Sequence, residues 1–240
     1  MSDADFTEAE YDRLIGLALQ HYRFASFVDW QDAPPGTVLW RHDLDFSVHR
    51  ALALARIEAD AGVRATYFLN LHSAYYNALE GEVAARVREI LSLGHELGLH
   101  FDPDFETSRS PRDALTAERT LLEDVFGVPV RTFSLHNPVV AGWSADDDEV
   151  AGMVNAYGAG LRERFTYCSD SHGVWRHRRL HDVLEEAAEE RLHVLTHPEW
   201  WVPEPLPPRE RVTRAIEGRA ARTQERYERV SAAILARDRK

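Results

Sequence analysis

The chain has 240 residues and a formal net charge of −12 at pH 7, with 40 Asp and Glu against 28 Lys and Arg. This charge argues against nucleic acid or a membrane as partner and favours a small-molecule or saccharide substrate, because phosphate binding needs a concentrated basic surface. Lys240 is the only lysine and Cys168 the only cysteine. Schiff-base catalysis by an internal lysine, a Walker-type phosphate loop, an internal disulfide and a thiolate metal cluster are therefore excluded.

Strand and helix patterns alternate along the chain. Strands, which show as short apolar runs, are predicted at 37–43, 65–71, 95–100, 130–135, 165–169 and 192–196. Helices are predicted near 7–22, from Ser47 to Gly62, through 83–91 to Gly94, from Ser110 through Val125, near 147–157, at 180–190 and after the proline-rich run 203–208. Their starts and ends carry capping residues, including Thr7 with Glu10, Ser47, Ser110 with Pro111, and Gly62.

Strands that alternate with helices indicate an α/β fold with parallel strands. Six or seven such units predict a distorted, incomplete α/β barrel in a single domain, 1–240, with a long C-terminal helix. That helix has apolar residues along one side and could pack on its own barrel or on a second subunit, so a homo-oligomer is compatible with the sequence. No apolar leader or membrane-spanning window is present, which favours the cytoplasm.

Asp and His residues cluster where five of the apolar stretches end. These clusters are RHDLD at 41–45, GLHFDPD at 98–104, SLHNP at 134–138, YCSDSHG at 167–173 and LTHPEWW at 195–201. The carboxyl ends of parallel strands meet at one rim, so we expect one pocket that holds several carboxylates and imidazoles. Such a composition is typical of metal-assisted hydrolysis.

Asp43 and Asp45 lie two residues apart at the end of the first predicted barrel strand. Both carboxylates point to the same side of an extended backbone, so one can bind a metal while the other acts as a base. A pair that caps the following helix is the alternative, but Ser47 already serves as a cap.

Further ligand candidates follow the next strands. His100 and Asp104 are four residues apart, with Asp102 between them, and could share one ion if the loop coils; solvated turns are the alternative. His136 ends another strand and could be a ligand, a substrate donor or a buried core histidine. The third ligand is therefore open at this point.

Asp170 and His197 form a candidate pair of orienting carboxylate and general acid. Aromatic residues lie near the same strand ends, and they could form an apolar floor for a sugar ring or belong to the core. These aromatic candidates are Tyr76, Trp175, Trp200 and Trp201.

The order of these motifs over 37–201 resembles the polysaccharide deacetylase superfamily (carbohydrate esterase family 4, NodB homology), in a divergent branch whose first motif reads His-Asp-hydrophobic-Asp. The resemblance implies a distorted (β/α)7 barrel and one divalent metal, with zinc as first choice and Co, Ni, Mn or Fe as alternatives. It also implies that Asp43 is the base, Asp45 and His100 are ligands, His197 is the acid and Asp170 orients the acid.

Two positions depart from the family pattern. Asp104 stands where the family has its second histidine, so the third ligand is Asp104, Asp102 or His136. Ser134–Asn137 replaces the family's Arg-Pro-Tyr motif, which makes Asn137 a candidate substrate contact. The sequence predicts a metal-dependent hydrolase that removes an acyl group, N-acetyl in the first place, from an amino sugar or small amide; the alternatives are a non-catalytic sugar-binding barrel and a hydrolase of esters or cyclic amides.

Overall fold

The computed structural model describes residues 3–105, 108–137, 146–175 and 177–237, with side chains from residue 5 onward. The strands are β1 (Arg23–Ala25), β2 (Thr37–Leu44), β3 (Thr66–Leu69), β4 (Glu96–Phe101), β5 (Thr132–Leu135), β6 (Glu149–Val150), β7 (Met153–Asn155), β8 (Thr166–Ser169) and β9 (Arg191–Thr196). The α-helices are α1 (Glu8–His21), α2 (Val48–Asp60), α3 (Gly81–Ser92), α4 (Pro111–Phe126), α5 (Ala159–Arg164), α6 (Leu180–Glu186) and α7 (Pro208–Arg237).

One curled, mostly parallel sheet contains all the described strands, in the order β6-β7-β5-β4-β3-β2-β9-β8. Among the described strand pairs, only the short β6–β7 pair is antiparallel. β1 and β3 share one edge of β2, since β1 pairs with 37–39 and β3 with 41–44. This arrangement is a distorted, incomplete barrel, as the sequence predicts.

The alternation of side chains along the strands creates two apolar cores. Val38, Trp40 and Leu44 of β2 belong to the larger core, which packs the sheet against the helices. Leu39, two residues from Arg41, belongs to a smaller core within the curl of the sheet. The side of β2 that carries Leu39 therefore also carries Arg41 and Asp43 into the barrel interior.

The predicted caps and most predicted elements are confirmed. The side chains of Thr7, Ser47 and Ser110 accept backbone N–H groups in the first turns of α1, α2 and α4. Gly62 follows α2 with a positive φ of 73°, a conformation that favours glycine. α7 also forms as a single long helix of 30 residues.

Two predicted helices need correction. The segment 147–157 is not a helix, because it forms the β6–β7 hairpin, and the following helix, α5, begins at Ala159. The helix predicted at 180–190 ends at Glu186, where Ala187 adopts a left-handed conformation with φ 46°. None of the described helices is both long and apolar enough to cross a membrane.

Candidate active site

The register of the sheet aligns the ends of four neighbouring strands at one rim. Asp43 of β2 pairs with Phe68 of β3, and His100 of β4 pairs with Ser134 of β5. On the other edge of β2, the last residue of β9 is Thr196, which directly precedes His197. Residues of the clusters that follow β2, β4, β5 and β9 therefore meet at one rim, and Asp170 after β8 joins them through His197.

Asp45, His100 and His136 form a compact set of donors. His100 Nε2 lies 3.0 Å from Asp45 Oδ1, and His136 Nδ1 lies 3.3 Å from the same oxygen. The two imidazole nitrogens are 3.2 Å apart. One carboxylate oxygen and two imidazole nitrogens thus face a common point.

This donor set fits a divalent cation. Asp45 Oδ1 is buried, and its near neighbours among the described residues are the two imidazole nitrogens, neither of which forms a well-aligned hydrogen bond with it. Carboxylate oxygen and imidazole nitrogen are ligands of zinc and of other first-row divalent metals. Asp45, His100 and His136 are therefore the residues that would hold an ion.

The same groups influence each other's protonation. Burial raises the pKa of Asp45, but the adjacent imidazoles of His100 and His136 outweigh it and hold that pKa well below its usual range. In return, the Asp45 carboxylate raises the pKa of His136 above its ordinary value. A cation that binds His136 must displace the proton on that ring, so cation binding weakens at low pH.

Ser134 fixes the orientation of His100. Its hydroxyl group donates to Asp43 Oδ1 at 3.2 Å, and its oxygen lies 2.7 Å from His100 Nδ1. This pattern assigns the ring proton to Nδ1, which donates to Ser134 and leaves the lone pair of Nε2 available to a cation. Such a hydrogen bond behind a ligand sets its tautomer and raises its basicity.

Asp43 lies on the Nδ1 side of the His100 ring, with Asp43 Oδ2 3.7 Å from that nitrogen. Arg41 donates from Nη2 to the same carboxylate oxygen at 3.4 Å. Both residues are almost completely buried. The guanidinium of Arg41 also lies over the Tyr157 ring, 4.5 Å from its centroid, which holds Arg41 in place.

His197 and Asp170 form a close pair across the β8–β9 rim. His197 Nδ1 lies 2.7 Å from Asp170 Oδ1, and the backbone N–H of His197 donates to the same carboxylate. Trp201 Nε1 donates to the second oxygen, Asp170 Oδ2, at 2.9 Å. Asp170 is completely buried, so these donors determine how its charge is stabilised.

The protonated form of His197 is strongly favoured in this environment. Burial by itself lowers the pKa of His197, but the hydrogen bond to Asp170 and the Asp170 charge outweigh it and raise the pKa to about 10. His197 Nε2 faces Asp45 Oδ2 at 3.9 Å. A protonated imidazole with a fixed ring therefore stands next to the candidate ion-binding residues.

The other predicted site residues lie in several environments. Asp104 is exposed and does not belong to the donor set. Asn137 is exposed with a positive φ of 48°. Tyr76 is buried and donates to the Leu44 carbonyl oxygen at 2.6 Å.

The predicted tryptophans are buried as well. Trp175 stacks on Phe6 with ring centroids 5.6 Å apart, and Trp200 lies 6.2 Å from the Phe46 ring. Both are at most 8% exposed, so their contacts in this structure are with the core.

Three residues contribute to the site although the sequence analysis gave them no role. Arg41 and Ser134 each lie two positions before a predicted site residue, so strand alternation was the available signal. Glu199 is buried, and neither of its carboxylate oxygens has a hydrogen-bond partner among the described residues. Burial raises the pKa of Glu199 well above its ordinary value.

No family model and no curated protein matches this chain. The solved structures that it resembles include a CE4 family pseudoenzyme from Bacillus anthracis, at 16% identity over 79% of this chain and 60% of that one, with a TM-score of 0.44. The chitin deacetylase from the fungal pathogen Colletotrichum lindemuthianum matches at 16% identity over 78% of this chain and 84% of that one, with a TM-score of 0.45. The polysaccharide deacetylase from Bacillus cereus matches at 13% identity over 78% and 88%, with a TM-score of 0.44.

The chain spans less than two thirds of the length of the pseudoenzyme. At these identities the likeness concerns the course of the chain alone. The chain forms a distorted α/β barrel, and its candidate metal centre lies at the carboxyl ends of the strands.

Proposed function

We propose that the protein is a metal-dependent hydrolase that removes an acyl group, N-acetyl in the first place, from an amino sugar or a small-molecule amide. The observation that carries the proposal is the pair of His197 and Asp170, which stands 3.9 Å from Asp45 in the candidate ion-binding set. A protonated acid beside a metal centre is the arrangement that amide hydrolysis requires, since the leaving amine must gain a proton.

A divalent cation held by Asp45, His100 and His136, for which we propose zinc, would polarise the acyl carbonyl and acidify a water molecule. Asp43 accepts the proton of the attacking water as general base, and Arg41 balances the charge of its carboxylate.

His197 then donates its Nε2 proton to the amide nitrogen as the C–N bond breaks. Asp170 holds Nδ1 and stabilises the charge on the ring before the transfer. The products are a carboxylic acid and an amine, so one water is consumed and the protons balance.

The test is a substrate panel offered to zinc-loaded protein. It contains N-acetylglucosamine, its short oligomers and simple acetamides, together with matched O-acetyl esters and cyclic amides. We expect equal amounts of acetate and free amine from the N-acetyl compounds, with loss of activity in His197→Ala and retention in the matched surface variant Asp104→Ala.

Cleavage of esters alone would contradict the assignment of the bond. Tight binding of saccharides without turnover would contradict the hydrolase and favour a sugar-binding barrel.

A further inference from the structure

A second polar cleft lies beside the candidate active site, between the first turn of α2, α3 and α7. Phe46, the residue after Asp45, and Tyr75 form its aromatic wall, with their ring centroids 3.9 Å apart. The basic residues that line it are His49, Arg86, Arg219 and Arg222. Its volume of about 30 Å³ exceeds the roughly 10–15 Å³ that one water needs.

The arginines of this cleft outnumber their acidic partners. Glu82 forms ion pairs with two of them, at 2.9 Å from Arg86 and 4.0 Å from Arg222. Glu80 forms ion pairs with two arginines of α7: Arg219 of the cleft at 2.5 Å, and Arg226, which does not line the cleft, at 3.1 Å. The three arginines that line the cleft thus have two glutamate partners, and one positive charge remains in excess.

The start of α2 adds to this positive potential. α2 begins at Val48, directly after the rim of β2, so its positive end lies on the same face of the barrel as the candidate active site. Arg86 Nε donates to His49 Nδ1 at 3.2 Å, which leaves the Nε2 proton of His49 as a donor. Partial burial and then the charges of Arg86, Arg222 and Arg50 lower the pKa of His49.

These features suit a tetrahedral anion with two negative charges. A phosphate group carries about −1.5 to −2 charges at pH 7 and accepts paired hydrogen bonds from guanidinium groups. The excess of positive charge, the guanidinium groups from two helices and the helix start match it in type.

We propose that this cleft binds a phosphate group of the substrate, so that the acylated amine is a phosphorylated one, such as a sugar phosphate. This inference rests on the proposed function as far as the substrate is concerned. The binding of phosphate itself needs no catalysis, and it can be measured separately.

The first experiment is calorimetric titration of the 240-residue protein with inorganic phosphate at fixed ionic strength. We expect one saturable site per chain, weakened at least about tenfold by Arg86→Ala and by Arg222→Ala. The controls remove the same charge from exposed positions on helices outside the cleft: Arg56→Ala on α2 and Arg229→Ala on α7. These controls should stay within about twofold of the wild-type affinity.

Absence of saturable binding would overturn the proposal, and so would equal weakening in the test and control variants, which would indicate only a diffuse charge effect. Unfolding temperatures of all four variants establish that a lost site is not a lost fold. The variants Arg86→Lys and Arg222→Lys, which keep the charge but lose the paired donors, should restore affinity only in part.

The second experiment compares the zinc-loaded protein on N-acetylglucosamine and on its 6-phosphate. We expect KM to be at least about tenfold lower for the phosphorylated sugar and Arg86→Ala to raise only that KM. Phosphate binding without any deacylation would support the subsite and refute the hydrolase. Deacylation with equal KM values for both sugars would support the hydrolase and refute the subsite.

Discussion

The Asp170 carboxylate should control the protonation state of His197, the proposed acid. The pKa of His197 rises from an ordinary 6.5 to about 10, and this difference corresponds to about 5 kcal/mol. Asp170→Asn removes the negative charge but keeps an oxygen that can accept the Nδ1 proton at the present 2.7 Å. Burial lowers the pKa of His197 while the Asp45 charge continues to raise it, so we expect the pKa to fall back towards its ordinary value in this variant.

The measurement is a pH titration of the His197 ring by NMR in metal-free protein. The wild-type ring should stay protonated through pH 9, whereas the Asp170→Asn ring should be neutral at pH 7.5, with activity of the zinc-loaded variant reduced about 10²–10⁴-fold. A His197 pKa that stays above 9 in Asp170→Asn would refute this reasoning.

The stability of the metal-free fold should also depend on the pair of His197 and Asp170. Since the folded pKa of His197 lies above its unfolded value, its protonation stabilises the metal-free fold fully below pH 6.5, and this contribution is lost as the pH rises towards about 10. The stability difference between wild type and Asp170→Asn should therefore narrow over that interval in urea unfolding.

Four further variants test other parts of the structure. A Cβ at Gly98 would lie 2.5 Å from the Phe68 ring, so Gly98→Ala should cost about 1–3 kcal/mol in urea unfolding, and no cost would contradict this packing. Glu58 is completely buried with His42 and two tyrosines, so Glu58→Ala should cost about 3–5 kcal/mol, and a loss under about 1 kcal/mol would show that the network contributes little. Asp43→Asn keeps an acceptor for Ser134, so turnover should fall about 10²–10⁴-fold while zinc affinity stays nearly unchanged. Ser134→Ala should weaken zinc binding about 10–100-fold. The reverse pattern in the two variants would exclude Asp43 as the base.

The rim of the barrel could be predicted because its signals are local. Apolar runs identify the strands, and Asp and His at the ends of those runs must meet if the strands are parallel. The helix starts could also be predicted, since Ser47 and Ser110 cap helices with their own side chains.

The segment 147–157 shows why a local helical pattern can fail. Asp148 Oδ1 accepts the Gly160 N–H at 2.8 Å, and the Asn155 side chain donates to the Asp147 carbonyl oxygen at 2.9 Å. Side chains of this type compete with the helical hydrogen bonds of the backbone. Gly152, with φ 72°, then allows the reversal between β6 and β7.

The third candidate ligand could not be chosen from spacing alone. Asp104 follows His100 by four residues, but β4 ends at Phe101 and the chain then leads Asp104 to the surface. His136 reaches the site because β5 lies next to β4, where the His136 N–H donates to the Phe101 carbonyl oxygen at 2.8 Å. The order of strands in the sheet is a tertiary feature, and it brings His136 to His100.

The most direct test of the account is the metal content of untagged protein, measured by plasma mass spectrometry. The compared proteins are wild type, Asp45→Ala, His100→Ala, His136→Ala and the surface control Asp104→Ala. We predict about one zinc or other transition-metal ion per chain in wild type and in Asp104→Ala, and almost none in the other three, because each removes one of three converging donors. A wild-type protein that takes up no metal even after zinc is added, or that keeps it in all three of those variants, would contradict the proposed centre.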